Sequence, residues 1–301
     1  MVARATESPA EHSVVEPAVV ADRPWTRTEV VWVTALAGGV LLAGSWRLGS
    51  TSLWSDEAAT WAISGHRFSD LVGTLTNSGG DRGAALYYVV VFGWMKVFGT
   101  SEAAARSLSL VAAAGMLVPF HAIARRLLDR FGAFAAGALL ATSSFLFVHA
   151  REMRTYAFAV LLVVVTAWAL LRAVSSARTA SWALFTVAAV LSVYAHWFSA
   201  LVVVALFVAL ALAAPGPETV RPALLSAAAI AVATAPIALL IATGHGGGVD
   251  WVAPLNRGEL QALAKAFTGA SRTLVQVAVL GVAAIGWVGT WIAWRRQPRA
   301  G

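Results

Sequence analysis

The 301-residue chain contains no cysteine. That absence removes disulfides, thiolate catalysis and cysteine-ligated metals together, and it leaves the redox compartment unread. Charge is almost as scarce. Only 12% of residues are charged, against about 25% in an ordinary soluble domain. Phosphate-cradling P-loops, dinucleotide fingerprints and paired zinc-protease histidines are all missing, which argues against chemistry driven by cytosolic nucleotides. No short alternating strands occur, so a β-barrel is excluded. No internal repeat of the kind many transporters carry is visible, and charges gather at helix mouths, away from the mid-bilayer position of a transporter site. The formal charge of +7 is spread through short loops. Such a pattern orients a membrane protein and meets lipid phosphate, and it does not build a nucleic-acid surface.

What the chain does have is apolar length. Hydrophobic residues make up 59%, and the mean hydropathy is +0.73. A soluble protein of this size has no place to hide that surface, so lipid is the expected solvent. The fold class is therefore an all-α, polytopic integral membrane protein. Residues 1–29 lack an apolar core and read as a disordered cytoplasmic tail. Residues 30–295 form the membrane domain, and 296–301 a second tail. The spans fall at Val30–Trp46, Ala103–Ala124, Gly132–Val148, Thr155–Leu171, Ala180–Ala195, Phe198–Ala214, Ala223–Ala242 and Thr273–Trp294. Ala84–Phe98 is apolar but short. If it lies along the surface, the arginine clusters at 125–130, 172–178 and 295–299 join Arg23 and Arg27 on one side, as the positive-inside tendency favours. Eight spans with both termini cytoplasmic follow. External loops then run over 47–104 and 244–272, and Asp56, Glu57, Asp81, Glu152, Arg154, His196, His245 and Asp250 all emerge on the extracytoplasmic face of a plasma-membrane protein.

Four groups there offer chemistry. In Ser55-Asp56-Glu57 the acids either complement a helix N-terminus that Ser55 caps, or supply a general base for an acceptor hydroxyl. In the run from Asp81 to Tyr87-Tyr88, the tyrosines read as interfacial anchors or the aspartate as a second carboxylate across a cavity. Arg151-Glu152-Met153-Arg154-Thr155-Tyr156 reads as snorkelling residues with an internal ion pair, or as an arginine fork for a phosphate. His196-Trp197 is an interfacial anchor before it is a catalytic pair. His245 and Asp250 in a glycine-rich loop do not make a metal site.

Taken in order, these segments resemble the polytopic GT-C glycosyltransferases, specifically the protein O-mannosyltransferases and aminoarabinose lipid A transferases. Leu53-Trp54-Ser55-Asp56-Glu57-Ala58 is similar to the acidic motif of that family's first external loop. The stretch from Asp81 to Tyr88 is similar to D-x-H-P-P-L-Y-Y, with Gly83-Ala84-Ala85 in place of His-Pro-Pro. Phe98 to Glu102 with Arg106, Arg125-Arg126-Leu127, Arg151 to Tyr156 (compare Q-E-A-R-M-Y), Tyr194-Ala195-His196-Trp197 and Trp251 to Pro254 continue the series. The resemblance implies a GT-C-like helix bundle with juxtamembrane helices in the first external loop. It also implies inverting transfer of a mannose-like hexose or a pentose from a polyprenyl-phosphate donor to a protein, lipid or glycan acceptor. Asp56 would be the base and Asp81 a supporting acid. Arg151 and Arg154 would contact phosphate, with Glu57, Tyr87, Tyr88, Glu152, Tyr156 and His196 lining the substrate site. It fixes no cofactor, and Asp56 and Glu57 together leave a divalent cation open. Relatives usually continue with further helices, so the chain reads as C-terminally short. The rival reading is a non-catalytic protein that binds or moves a polyprenyl-linked sugar.

Overall fold

The computed structural model describes residues 23–65, 67–77, 82–213, 216–243, 256–268, 276–278 and 281. Every extended element among them is helical: α1 Arg27–Ser45, α2 Ser55–Gly65, α3 Phe68–Asn77, a 3₁₀ turn Arg82–Ala84, α4 Ala85–Phe98, α5 Glu102–Leu127, α6 Arg130–Ala141, α7 Ser144–Ala150, α8 Tyr156–Ser176, α9 Thr179–Ala195, α10 Ser199–Leu212 and α11 Pro217–Thr243. A further helix, α12 (Arg257–Thr268), belongs to a separate unit of the chain. Asn256 caps it by accepting the Glu259 amide at 3.0 Å. The chain is an all-α polytopic membrane protein. Four helices, α1, α5, α8 and Pro217–Ala242 of α11, are long and apolar enough to cross a bilayer, and the α6–α7 pair supplies a fifth if counted as one broken span. At 17 and 14 residues, α9 and α10 are shorter than the roughly 20 residues a typical span requires. The expected Thr273–Trp294 span lies almost wholly outside the described residues, as do His245, Asp250 and the Trp251–Pro254 motif.

Two of the departures from the hydropathy reading have a clear local reason. The apolar run begins at Val30, but α1 begins one turn earlier. Thr26 accepts the Glu29 amide at 3.2 Å while the Glu29 carboxylate accepts the Thr26 amide at 2.8 Å, a reciprocal capping box. The run Gly132–Val148 is not one helix, for α6 and α7 meet at a 48° bend. The bend falls at Thr142-Ser143. The Thr142 hydroxyl turns back to the Ala138 carbonyl at 2.8 Å, and Ser143 caps α7 through the Leu146 amide. Hydroxyl side chains that compete for backbone partners favour such breaks.

The helix ends sort into two groups, here called the rim and the base. At the rim, Arg151 after α7 donates to Gly44 and Trp46 carbonyls at the end of α1 (2.6 and 2.8 Å). Thr155 before α8 donates to the Ala195 carbonyl at the end of α9 (2.7 Å), and the Trp197 amide reaches the Gly83 carbonyl of the 3₁₀ turn (2.8 Å). Both ends of α4 are tied to this rim. Its start follows Gly83. Near its end, the Trp94 indole donates to the Ala104 carbonyl and the Ser107 hydroxyl, each at 3.0 Å. At Gly99 the chain leaves α4 with φ +90°, a conformation open to glycine.

Three apolar clusters fill the interior: α1 with α5, α7 and α8; α8 with α9, α10 and α11; and α3 with α4, the start of α5 and Met153. In α11, Pro236 lacks the amide that would bond one turn back. The neighbouring Ala233 carbonyl takes the Tyr194 hydroxyl at 2.9 Å, fastening α9 to α11 there.

Candidate functional site at the helix rim

Glu57 is the knot of the rim. It sits in the first turn of α2, yet its side chain is only 1% exposed. Burial pushes its carboxyl pKa up, but the Arg106 guanidinium and the Met153 and Trp54 amides outweigh burial and hold it below the ordinary 4.5. The Arg106 Nε–H and Nη2–H donate to its two oxygens at 2.9 and 2.6 Å, and the Met153 amide adds a third bond at 2.7 Å. The remaining Arg106 donors go to the carbonyls of Leu48 and Thr51 (2.9 Å each) and Ser52 (3.2 Å). One buried ion pair thereby fixes the loop after α1, the start of α2, the start of α5 and the turn before α8.

That knot leaves its neighbour facing outward. Asp56 is 46% exposed, and its Oδ2 lies 3.4 Å from Nη2 of Arg154. The Arg154 backbone is held by the Ser109 hydroxyl, which donates to its carbonyl at 3.2 Å. Its guanidinium lies between two exposed rings, 6.0 Å from Trp54 and 5.6 Å from Tyr156. Arg154 Nε is buried with no hydrogen-bond partner among the described residues. Beyond Tyr156 the aromatic row continues. The His149 ring stands edge-on at 4.9 Å, and His196 lies at 6.1 Å. His149 Nδ1 is 3.1 Å from the Glu152 carboxylate.

The expected site residues thus divide. Asp56, Glu152, Arg154, Tyr156 and His196 share one patch, with Trp54 and His149, which the sequence did not single out. Arg151 is turned to the carbonyls ending α1, where a cation is favourable, and lies 5.3 Å from the Phe147 ring. Tyr87 and Tyr88 lie in the core beneath α4, the Tyr87 hydroxyl with no hydrogen-bond partner among the described residues. Asp81 lies outside the described residues, two positions before Gly83. No group of three or more histidine, cysteine or acidic side chains able to hold a metal occurs among the described residues. For the divalent ion left open at Asp56 and Glu57, the latter's oxygens are already taken by Arg106 and Met153. The residue the sequence reading undervalued is Arg106. An arginine in the first turn of an apolar span is costly and must find a carboxylate, and that was the available signal.

With this geometry in view, comparison with known families is decisive for class. The model of the dolichyl-phosphate-mannose-protein mannosyltransferase family matches residues 84–241. The chain belongs to that family. It is thus of the mannosyltransferase type among membrane glycosyltransferases. No curated protein and no solved structure is significantly similar to it. The matched range holds Arg106, His149, Glu152, Arg154, Tyr156 and His196, whereas Trp54, Asp56 and Glu57 precede it. The Glu57–Arg106 and Asp56–Arg154 pairs join that preceding segment to the matched one.

Proposed function

We propose that this protein transfers a sugar from a polyprenyl-phosphate donor to a hydroxyl acceptor at the rim, and that the rim faces the extracytoplasmic side of the plasma membrane. The observation that carries the reading is the exposed Asp56 carboxylate set against Arg154 by a buried clamp it does not itself join. Asp56 takes the proton from the acceptor hydroxyl as its oxygen attacks the anomeric carbon. The sugar–phosphate bond breaks with its electron pair passing to phosphate, and the Arg154 guanidinium meets the growing charge. Glu57 and Arg106 are positioning residues, and Arg151 holds α7 to α1. Asp81 is a supporting acid, next in sequence to the 3₁₀ turn that Trp197 fastens. The sugar is mannose-like, and the acceptor is a protein, lipid or glycan. The orientation follows from arginines 23, 125, 126 and 130 collecting at the base, where α1 starts, α5 ends and α6 starts, with eight spans and α4 laid along the membrane surface. Both α4 ends being tied to the rim favours that placement.

The test is Asp56→Asn in membranes supplied with a polyprenyl-phosphate mannose. Accumulation and thermal midpoint are expected to stay at wild-type levels, while transfer falls by roughly 10²- to 10⁴-fold. Undiminished transfer removes Asp56 from the mechanism. Wild-type protein that binds the donor and transfers to no acceptor favours the rival reading, a carrier of polyprenyl-linked sugar.

A further inference from the structure

The mechanism above provides for the acceptor's proton and for the phosphate charge, but it leaves one titratable pair of the rim unused. His149 is half-buried in the last turn of α7, with Nδ1 3.1 Å from Oε2 of Glu152. A carboxylate at Nδ1 fixes the ring and directs Nε2 the other way, as in sites where an imidazole carries protons. The ring is also gripped by aromatics. Phe145 stands edge-on to it at 4.4 Å, and Tyr156 at 4.9 Å. Tyr156 carries Arg154 as well, its guanidinium 5.6 Å from the ring centre. Arginine and histidine therefore both pack on one phenol ring at the same helix mouth. The charged groups facing the imidazole are Glu152 on its own turn and Arg154 across Tyr156. Arg106 on α5 acts on Glu152 in turn.

We propose that His149, oriented by Glu152, is the general acid of the transfer, donating its Nε2 proton to the departing phosphate. The step balances. The acceptor oxygen bonds the anomeric carbon and loses its proton to Asp56. The anomeric carbon–oxygen bond breaks, its electron pair goes to the phosphate oxygen, and the imidazolium proton moves to that phosphate. Neutral His149 is then reprotonated from solvent. A phosphate monoester loses its second proton near pH 6, so the dianion formed by bond cleavage has a site for the proton. This assignment rests on the transferase reading, but it concerns the leaving group, which Asp56 does not touch.

Two measurements decide it separately from that reading. In transfer assays with a polyprenyl-phosphate mannose, His149→Gln is expected to lower kcat by roughly 10- to 100-fold with little change in donor KM. It should also abolish the alkaline limb of the wild-type pH profile, while Glu152→Gln moves that limb to lower pH. Wild-type rate and an unchanged limb in His149→Gln overturn the proposal. Independently of turnover, ¹⁵N-histidine NMR of the full chain in detergent is recorded at fixed pH with and without polyprenyl monophosphate. The His149 signal, assigned with His149→Gln, is expected to shift toward imidazolium on binding. Binding with no such shift overturns the general acid even if transfer is confirmed. A shift in a protein that transfers nothing instead refutes the transferase reading while leaving the phosphate contact standing.

Discussion

Helix α5 carries a buried arginine–glutamate pair at each end, and the two pairs do different work. In its first turn Arg106 grips Glu57 with two short bonds, 2.9 and 2.6 Å. In its last turn Arg125 approaches Glu29 at 3.5 Å, and Glu29 is shared with Arg23 at 2.8 Å and with its own capping box. At the base the neighbouring groups are spent on the chain itself. Arg125 also holds the Arg23 and Pro24 carbonyls and lies over the Trp25 ring. At the rim the knot is similarly saturated, but the residues next to its members, Asp56 and Arg154, are left facing solvent and each other. Burying one carboxylate keeps its neighbour outside, and sets an exposed acid beside an arginine at what is otherwise a structural fastening.

The largest expected break of this comparison is Glu57→Ala. It strands the Arg106 charge in the interior and should cost about 3–5 kcal/mol of stability, read as a lowered thermal midpoint in detergent, with loss of transfer. Replacing both partners with methionine should recover much of the stability, because a buried pair is often no better than apolar packing. It should not recover transfer, since the loop carbonyls and the Met153 amide lose their anchor. A double variant that transfers normally would show that the clamp does not position Asp56. Glu29→Ala should cost less, about 2 kcal/mol, because Arg125 stands 3.5 Å from it and Arg23, its closer partner, is half-exposed. Transfer per folded molecule should not change, and a base variant that lowers kcat would erase the distinction between the ends.

The smallest effect is that of acid. The Glu57 pKa is depressed in the folded state, so its contribution is complete above the unfolded value near 4.5. It is lost as pH falls through the lower folded value. Wild-type protein should therefore destabilise below about pH 4.5 more steeply than Glu57→Gln, as thermal midpoints measured across that window would show.

How much of this was legible beforehand depends on the range of the interaction. Hydropathy placed α5, α8, α9 and α10 to within a few residues, because length and apolar content are local. It ran across the α6–α7 bend, where two hydroxyls in an apolar run weigh little in any average but each captures a backbone group. Asp56, Arg154, Tyr156 and His196 were legible as motif members, and their placement in one patch came only with the fold. Arg106 and Glu57 are 49 positions apart, and the Met153 amide lies 96 positions after Glu57. No spacing rule links residues so distant. The assignment of Glu57 to substrate rested on its being next to Asp56, and adjacency on a helix points two side chains in different directions.

The knot around Glu57 also sets a timetable for the protein's birth. Its parts leave the ribosome in sequence: the carboxylate first, the guanidinium 49 residues later, the Met153 amide 96 residues after the start. At roughly 5–20 residues per second that last interval is about 5–20 s. For about half of it Glu57 has no guanidinium partner, and for the rest, while α5, α6 and α7 are being made, it lacks the Met153 amide. A nascent chain halted before Met153 would therefore carry both residues of the Glu57–Arg106 pair without the third anchor that closes the knot.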